Sequence, residues 1–132
     1  MKLKPEHKRL QGLLVSALEG GSNYWYRGAD CDLAPGIEYS DLQPSGKFAD
    51  PDDYFHPLQI APFVPGCSIS FLTHEDDDTT RHSIDATKLA AALKLMHDKY
   101  PHHYANVITD NDDAETGDVL LQLAAFGELV YG

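Results

Sequence analysis

The middle of the chain, residues 28–66, places the strongest constraint on the fold. It contains six prolines and four glycines, and such a density interrupts long helices and strands. Aromatic and large aliphatic side chains nevertheless recur along it, whereas a disordered segment is poor in such residues. We therefore predict a long, irregular but ordered excursion at 28–66, with room for one or two short strands. The long regular elements must come from the two flanking parts of the chain.

The N-terminal flank has the pattern of one amphipathic helix. Pro5 suits the first turn of a helix, where its missing N–H costs nothing. Gly20 and Gly21 are predicted to end the helix, because glycine accepts the left-handed conformation of a C-cap. Between these ends, apolar side chains recur on one face at Leu10, Leu13, Leu14, Ala17 and Leu18.

The C-terminal flank begins with strand signals and continues with a helix. Residues 67–74 alternate in polarity as a strand does, and residues 81–84 can return as the second strand of a hairpin. Asp85 is a suitable N-cap for a following helix, which Pro101 ends. Residues 102–109 fit either a helical turn or a strand.

The last part of the chain predicts a third helix. Residues 119–126 are apolar on nearly all sides, as in a buried helix, and Gly127 follows them. Residues 128–132 can add a short strand. The length of the chain fits one domain, so we predict a single compact α+β domain over residues 1–132. It has about three helices packed on a small, mostly antiparallel sheet.

The charge of the chain is strongly acidic and unevenly distributed. The formal net charge is −11, although residues 1–27 hold five basic and only two acidic side chains. Direct binding of nucleic acid needs a basic surface for the phosphates, so this composition argues against that class of protein. The charge allows an acidic surface that binds a basic protein face, and it equally fits a protein that is merely kept soluble.

No segment is apolar over the length of a membrane span, and no hydrophobic stretch directly follows the basic N-terminus. We therefore expect a cytoplasmic protein with no membrane association. Cys31 and Cys67 lack metal-type spacing, and the seven histidines form no zinc motif. The acidic run at 74–78 does not fit a calcium loop and is better explained as a solvated hairpin tip. No metal or cofactor is expected, and no catalytic motif identifies an enzyme.

A first group of candidate ligand-binding residues follows the first helix. Aromatic faces and a guanidinium are the usual means of sandwiching a base, and an adjacent amide can bind a base edge. The alternative is structural, with the tryptophan and one tyrosine covering the end of the helix. The group consists of Asn23, Tyr24, Trp25, Tyr26 and Arg27.

A second group lies at the start of the last helix and consists of Asp113, Thr116, Asp118 and Gln122. Asp113 and Thr116 can simply cap the helix. Gln122 is a polar residue inside an apolar helix and needs a partner if it is buried, and Asp118 lies one turn before it. If this face meets residues 23–27, the result is a small polar pocket with aromatic walls, which is the default kind of ligand site.

The same two stretches resemble known sequences. Residues 19–25 match an EGG-(S/I)-NYW-like pattern, and residues 113–132 match a DA-x-T-x-D-V-x-LQ-x-A-x-FGE-x-VYG-like pattern. Both patterns resemble those of a group of small uncharacterised proteins from tailed bacteriophages. The resemblance implies a phage-encoded accessory protein in the cytoplasm of an infected bacterium. Small phage proteins without a catalytic set are often inhibitors of bacterial defence.

This setting leaves several hypotheses open. In the first, the protein sequesters a small nucleotide-type ligand, with stacking on the aromatic residues of 24–26, a phosphate paired with Arg27, and hydrogen bonds from Asn23, Asp118 or Gln122. In the second, it is an acidic inhibitor that binds the nucleic-acid site of a host defence enzyme. An enzyme acting on nucleotides is a third hypothesis. Self-association into a homo-oligomer is also left open.

Overall fold

A three-stranded antiparallel sheet forms one layer of the fold, in the order β1, β2, β3. The computed structural model describes residues 2–77 and 79–132. The strands are β1 (Tyr26–Asp32), β2 (Ser68–Thr73) and β3 (His82–Ile84). The helices are α1 (Pro5–Ser16), α2 (Pro57–Ile60), α3 (Ala86–Lys99), α4 (Pro101–Ile108) and α5 (Ala114–Phe126). A π-helical turn at Ala17–Gly21 continues α1, and short 3-10 turns cover Tyr39–Leu42 and Ala61–Phe63.

The sheet is built around β2, which pairs with both other strands. Tyr26 lies opposite Thr73 and Asp32 opposite Ser68, while the register shifts between Arg27 and Asp30. Gly28 lies in this irregular part with a φ of 62°, a left-handed conformation that favours glycine. The predicted hairpin of residues 67–74 and 81–84 is confirmed as the pair β2–β3.

Helix α5 lies at the centre of the helical layer and packs against α1, the π-helical turn and α3. It is buried over most of its length, as its apolar sequence predicts. The largest fully buried apolar side chains come from both layers: Trp25, Phe71, Leu13, Leu14, Leu42, Ile69, Ile84, Leu89, Met96, Leu120 and Leu121. One core therefore joins the sheet to the helices. Within the described residues, no helix has both the length and the apolar character that a membrane crossing requires.

This architecture confirms the predicted single α+β domain with an antiparallel sheet. The three predicted helices are α1, α3 and α5. Helix α4 resolves the open assignment of residues 102–109, and it follows α3 directly because Pro101 interrupts one helix and begins the next. Helix α5 starts at Ala114, because Asp113 accepts a hydrogen bond from the Thr116 backbone N–H and caps it, which agrees with the capping role that the sequence allowed for Asp113.

The excursion predicted at 28–66 contains more regular structure than expected. Its first residues belong to β1, a 3-10 turn follows at Tyr39–Leu42, and its later part contains α2 and a second 3-10 turn. Pro57 stands at the first position of α2, where a proline N–H is not needed. The remaining residues of the segment cover the core without long elements, as the proline and glycine content predicts.

The predicted C-terminal strand is wrong. Residues 127–132 form no strand. The side chain of Gln122 takes the place of a neighbouring strand: its Oε1 accepts hydrogen bonds from the backbone N–H groups of Val130 and Tyr131, and its Nε2 donates to the Tyr131 carbonyl. A buried glutamine thus satisfies the backbone groups that a strand would have paired.

Helical backbone ends at Gly21, close to the predicted position, but for a different reason. The positive φ angles expected of a left-handed cap occur at other glycines, and Gly21 is not among them. A Cβ at Gly21 would instead collide with the carbonyl oxygen of Ala114. Glycine is therefore required there by the close approach of α5.

Gly117 sets how closely α5 approaches α1. An added Cβ would lie 2.8 Å from the Leu13 carbonyl oxygen and 3.0 Å from the backbone nitrogen of Ala17. Backbone atoms of a packed helix cannot move aside as a flexible side chain can. We therefore expect Gly117→Ala to lower the free energy of unfolding by about 1–3 kcal/mol, measured by urea denaturation, although alanine is the better helix former.

Gly12→Ala is the matched control for this prediction. Gly12 is exposed on α1, and a Cβ there would meet nothing within 4 Å. The substitution therefore changes only the intrinsic helix propensity, which is higher for alanine than for glycine. Gly12→Ala is expected to raise the free energy of unfolding by up to about 1 kcal/mol. Stabilisation of the protein by both substitutions would contradict the close contact at Gly117.

Candidate functional site

Asp118 lies at the centre of a buried hydrogen-bond network. Its Oδ1 accepts from Ser22 Oγ at 2.8 Å and from Trp25 Nε1 at 2.7 Å. Its Oδ2 accepts from the Tyr24 hydroxyl at 2.6 Å and from Gln122 Nε2 at 3.2 Å. Both carboxylate oxygens therefore have two donors each, which suits an acceptor-only group in a buried place. Through these bonds the segment after α1 meets the polar face of α5.

Trp25 is a core residue. It is 1% exposed, and its ring stacks on Tyr131 with a centroid distance of 5.4 Å and an interplanar angle of 8°. Phe71 and Phe126 contact it from other directions. The interpretation of Trp25 as a surface that stacks on a ligand is therefore corrected: its indole is covered by protein, and its N–H is bound to Asp118.

The other residues of the first candidate group, 23–27, contact different parts of the protein, because β1 begins within this group. The Tyr26 hydroxyl donates to the Leu18 carbonyl at 2.7 Å. Arg27 Nε donates to the Thr73 carbonyl and Nη2 to the Asp76 carbonyl, both at 3.1 Å, so its guanidinium lies over the end of β2. Asn23 is exposed. Of the five residues, only Tyr24 lines a cleft together with Asp118 and Gln122.

This cleft has a volume of about 600 Å³ and opens between the start of α5, the end of the π-helical turn, α4 and the C-terminal residues. Its volume falls in the range of small-molecule sites. The Tyr24 ring is 54% exposed. The residues that line the cleft are Gly21, Tyr24, His103, Ala114, Glu115, Asp118, Val119, Gln122, Leu129, Tyr131 and Gly132.

His103, on α4, lines the cleft and was not among the predicted site residues. It is 8% exposed, and its Nδ1 lies 3.1 Å from the hydroxyl of Thr116. Its Nε2 has no hydrogen-bond partner among the described residues. Every fully buried side-chain nitrogen or oxygen in those residues has a hydrogen-bond partner. Nε2 is therefore reached by solvent. In a helix over residues 101–108, His103 and the apolar Val107 lie on the same face, four residues apart. That spacing was the sequence signal that could have indicated a buried His103.

Asp113 and Thr116, both predicted site residues, act behind His103 and do not line the cleft. Asp113 is exposed and caps α5, whereas Thr116 is fully buried. The pKa of Asp113 is lowered chiefly by the Thr116 backbone N–H and further by the Thr116 hydroxyl. Thr116 thus contacts Asp113 through its backbone N–H and His103 through its hydroxyl.

The electrostatics of the cleft favour an uncharged imidazole beside acidic groups. Burial lowers the pKa of His103, with a further contribution from His102, while Glu115 and Asp113 act in the opposite direction. Partial burial, together with the hydrogen bond to Asp118, raises the pKa of Tyr24 to about 12, so its hydroxyl stays a donor. Among the described lining residues there is no lysine and no arginine.

The acidic run predicted to be a solvated hairpin tip lies in the turn after β2. Asp76 accepts from the Thr73 backbone N–H and pairs with His82 at 2.8 Å. These two contacts lower the pKa of Asp76. Asp77 accepts from the backbone and hydroxyl groups of Thr79 and Thr80. Asp78, the last acid of the run, lies outside the described residues.

Neither cysteine has the surroundings of an activated nucleophile. Burial, together with the nearby carboxylates of Asp30 and Asp32, raises the pKa of the Cys31 thiol to about 11. Cys67 is buried and accepts a hydrogen bond from the Ala34 backbone N–H. Within residues 2–77 and 79–132, no three histidine, cysteine or acidic side chains are placed to hold a metal ion.

Comparison with known proteins finds no family model, no curated protein and no solved structure that matches this chain.

Proposed function

We propose that this protein binds a small nucleotide-type ligand in the cleft at the start of α5. The observation that carries the proposal is a cleft of about 600 Å³ whose lining combines the Tyr24 ring with the Nε2 atom of His103, which has no protein partner and is open to solvent. Ligand sites are typically clefts of this size in which a few polar groups are held in place, and Nε2 of His103 is such a group.

The aromatic ring of Tyr24 supports a planar ligand. Its hydroxyl is held by Asp118, which fixes the ring at the rim of the cleft while half of its surface stays exposed. A ring fixed in this way can stack on a base with little loss of side-chain freedom. In this proposal Tyr24 replaces Trp25 as the stacking residue, and Arg27, which lies over the end of β2, has no role.

The biological setting of the proposal comes from the resemblance to small tailed-phage proteins. We infer a phage-encoded accessory protein in the cytoplasm of an infected bacterium. By capturing a nucleotide-type molecule that a bacterial defence needs, such a protein would counteract that defence without catalysis.

The direct test is the native mass of the protein purified from phage-infected bacteria. We expect an excess of a few hundred daltons that disappears on denaturation. Ala114→Trp, which places a large ring on the lining of the cleft, is expected to abolish the excess. Ala105→Trp changes an exposed alanine on α4 outside the lining and should retain it. A bare native mass for the unsubstituted protein would contradict the proposal.

A second candidate function follows from the surface charge. Asp118 is the one acidic side chain that is buried among the described residues, so almost all of the excess negative charge lies at the surface. Such a surface suits contact with the basic nucleic-acid site of a host defence enzyme. This function predicts that Ala114→Trp leaves counter-defence activity intact while neutralising Asp76 and Asp77 abolishes it. The first function predicts the reverse.

A further inference from the structure

We propose that the cleft selects a positively charged base, which stacks on the ring of Tyr24 and is held by the negative charge of Asp118 and Glu115. This inference rests on the proposed function and specifies the chemistry of the same site. The feature that the protein recognises is then the charge of the heterocycle, and not a phosphate paired with a basic side chain.

Asp118 is a buried anion without a counter-charge. Its oxygens accept four hydrogen bonds, which stabilise the ionised form of the carboxylate, and all of the donors are neutral: Ser22, Tyr24, Trp25 and Gln122. Among the described residues, no basic side chain forms an ion pair with it. It also lies beyond the first turn of α5, where the positive end of the helix dipole acts. Buried charges are generally paired, so Asp118 favours a cation in the cleft that it lines.

Glu115 adds a second carboxylate to the lining. It is exposed and forms no ion pair with another described residue. The described lining contains no lysine or arginine, and burial lowers the pKa of His103, which keeps its imidazole from adding a positive charge at neutral pH. The lining is therefore negative, and the partial enclosure of the cleft reduces screening by water. A cation that enters the cleft is attracted by both carboxylates, whereas a neutral ring gains nothing from their charge.

The ring of Tyr24 supplies a face for a planar cation. Its hydroxyl donates to Asp118, which holds the ring at the cleft while about half of the residue stays exposed. The face of a tyrosine ring attracts a cation through its quadrupole, and a planar cation can also stack on it. Val119 and Leu129 line the cleft with apolar surface for the rest of the base. A heterocycle that bears its charge on the ring makes use of the aromatic face and the carboxylates together.

Pairs of methylated nucleosides that differ in charge test the inference, with binding measured by isothermal titration calorimetry at neutral pH. In the first pair, 1-methyladenosine is a cation, while N6-methyladenosine carries the same methyl group but is neutral. In the second pair, 3-methylcytidine is a cation and 5-methylcytidine is neutral. We expect the cation of at least one pair to bind at least about 5-fold more tightly than its neutral partner.

Substitutions in the lining test whether the selection takes place in this cleft. Glu115→Gln removes a charge but keeps the size of an exposed side chain, so the preference for the cation should fall at least about 2-fold. Tyr24→Leu removes the aromatic face and should also weaken the preference, whereas Tyr24→Phe keeps a ring and should retain part of it. Glu75→Gln makes the same change of charge at an exposed residue outside the lining and is the control, with the preference unchanged.

The outcomes distinguish the inference from the function on which it rests. A smaller difference in both pairs, or tighter binding of the neutral partners, overturns the inference, while the binding itself still supports a nucleotide-type site. A preference for the cations that both Glu115→Gln and Tyr24→Leu leave unchanged also overturns the inference, because the selection then takes place elsewhere on this acidic protein. If none of the four compounds binds, the inference and the proposed nucleotide-type ligand are both rejected.

Discussion

Asp118→Ala is expected to lower the free energy of unfolding by about 3–5 kcal/mol, one of the two largest effects predicted for this chain. The substitution leaves Ser22 Oγ and Trp25 Nε1 buried without their acceptor. Each orphaned donor costs about 1–3 kcal/mol, because it loses water on folding and gains no partner. Urea denaturation followed by far-UV circular dichroism measures the change.

Glu115→Ala is the control for Asp118→Ala. Both residues are acidic and lie in the first turns of α5, but Glu115 is exposed. Its replacement is expected to change the free energy of unfolding by no more than about 0.5 kcal/mol. If the two variants were equally stable, the network around Asp118 would not be a source of stability.

Trp25→Ala is expected to have a comparable effect, a loss of about 3–5 kcal/mol, because it opens a large cavity among aromatic rings. Trp25→Phe fills part of the cavity but cannot donate to Asp118. We expect it to cost about 1–3 kcal/mol, the range for a charge-assisted hydrogen bond together with imperfect packing. The difference between the two variants separates the contribution of packing from that of the indole N–H.

Tyr54→Ala provides the aromatic control. Tyr54 is 64% exposed, and its removal is expected to change stability by no more than about 0.5 kcal/mol. A Trp25→Ala protein with unchanged stability and lost activity would restore Trp25 as a binding residue. Loss of both stability and activity is the result expected of a core residue.

The features that the sequence predicted well are those that depend on neighbouring residues. Asp85 accepts from the backbone N–H of Lys88 and starts α3, as a local N-cap does. Gly127 has a φ of 74° and ends α5. The hairpin β2–β3 was likewise predictable, since its two strands are separated by only a short polar turn.

The features that the sequence did not predict depend on contacts between distant segments. The polarity of Gln122 indicated a buried partner, yet nothing local shows that the partner is the backbone of residues 130 and 131. Trp25 is surrounded by Phe71, Phe126 and Tyr131, which come from β2, α5 and the C-terminus. Composition cannot distinguish such a cluster from an open aromatic surface.

The candidate site shows the same limit. Asp118 and Gln122 were predictable, because they lie one turn apart at the start of an apolar helix, whereas Tyr24 joined them only through the hypothesis that this face meets residues 23–27. His103 was not predicted, because the assignment of residues 102–109 was left open, and its place in the cleft depends on the contact between α4 and α5. The result is a division of the predicted site into a core that holds the fold together and a cleft beside it.

That division is tested most directly by hydrogen exchange at the indole N–H of Trp25. The chain has a single tryptophan, so the signal is unambiguous in a ¹H–¹⁵N spectrum. A buried N–H bound to Asp118 should exchange only when the whole protein unfolds, with a protection free energy close to the free energy of unfolding. Exchange at the rate of a free indole would show that Trp25 is open to solvent, and would contradict its place in the core.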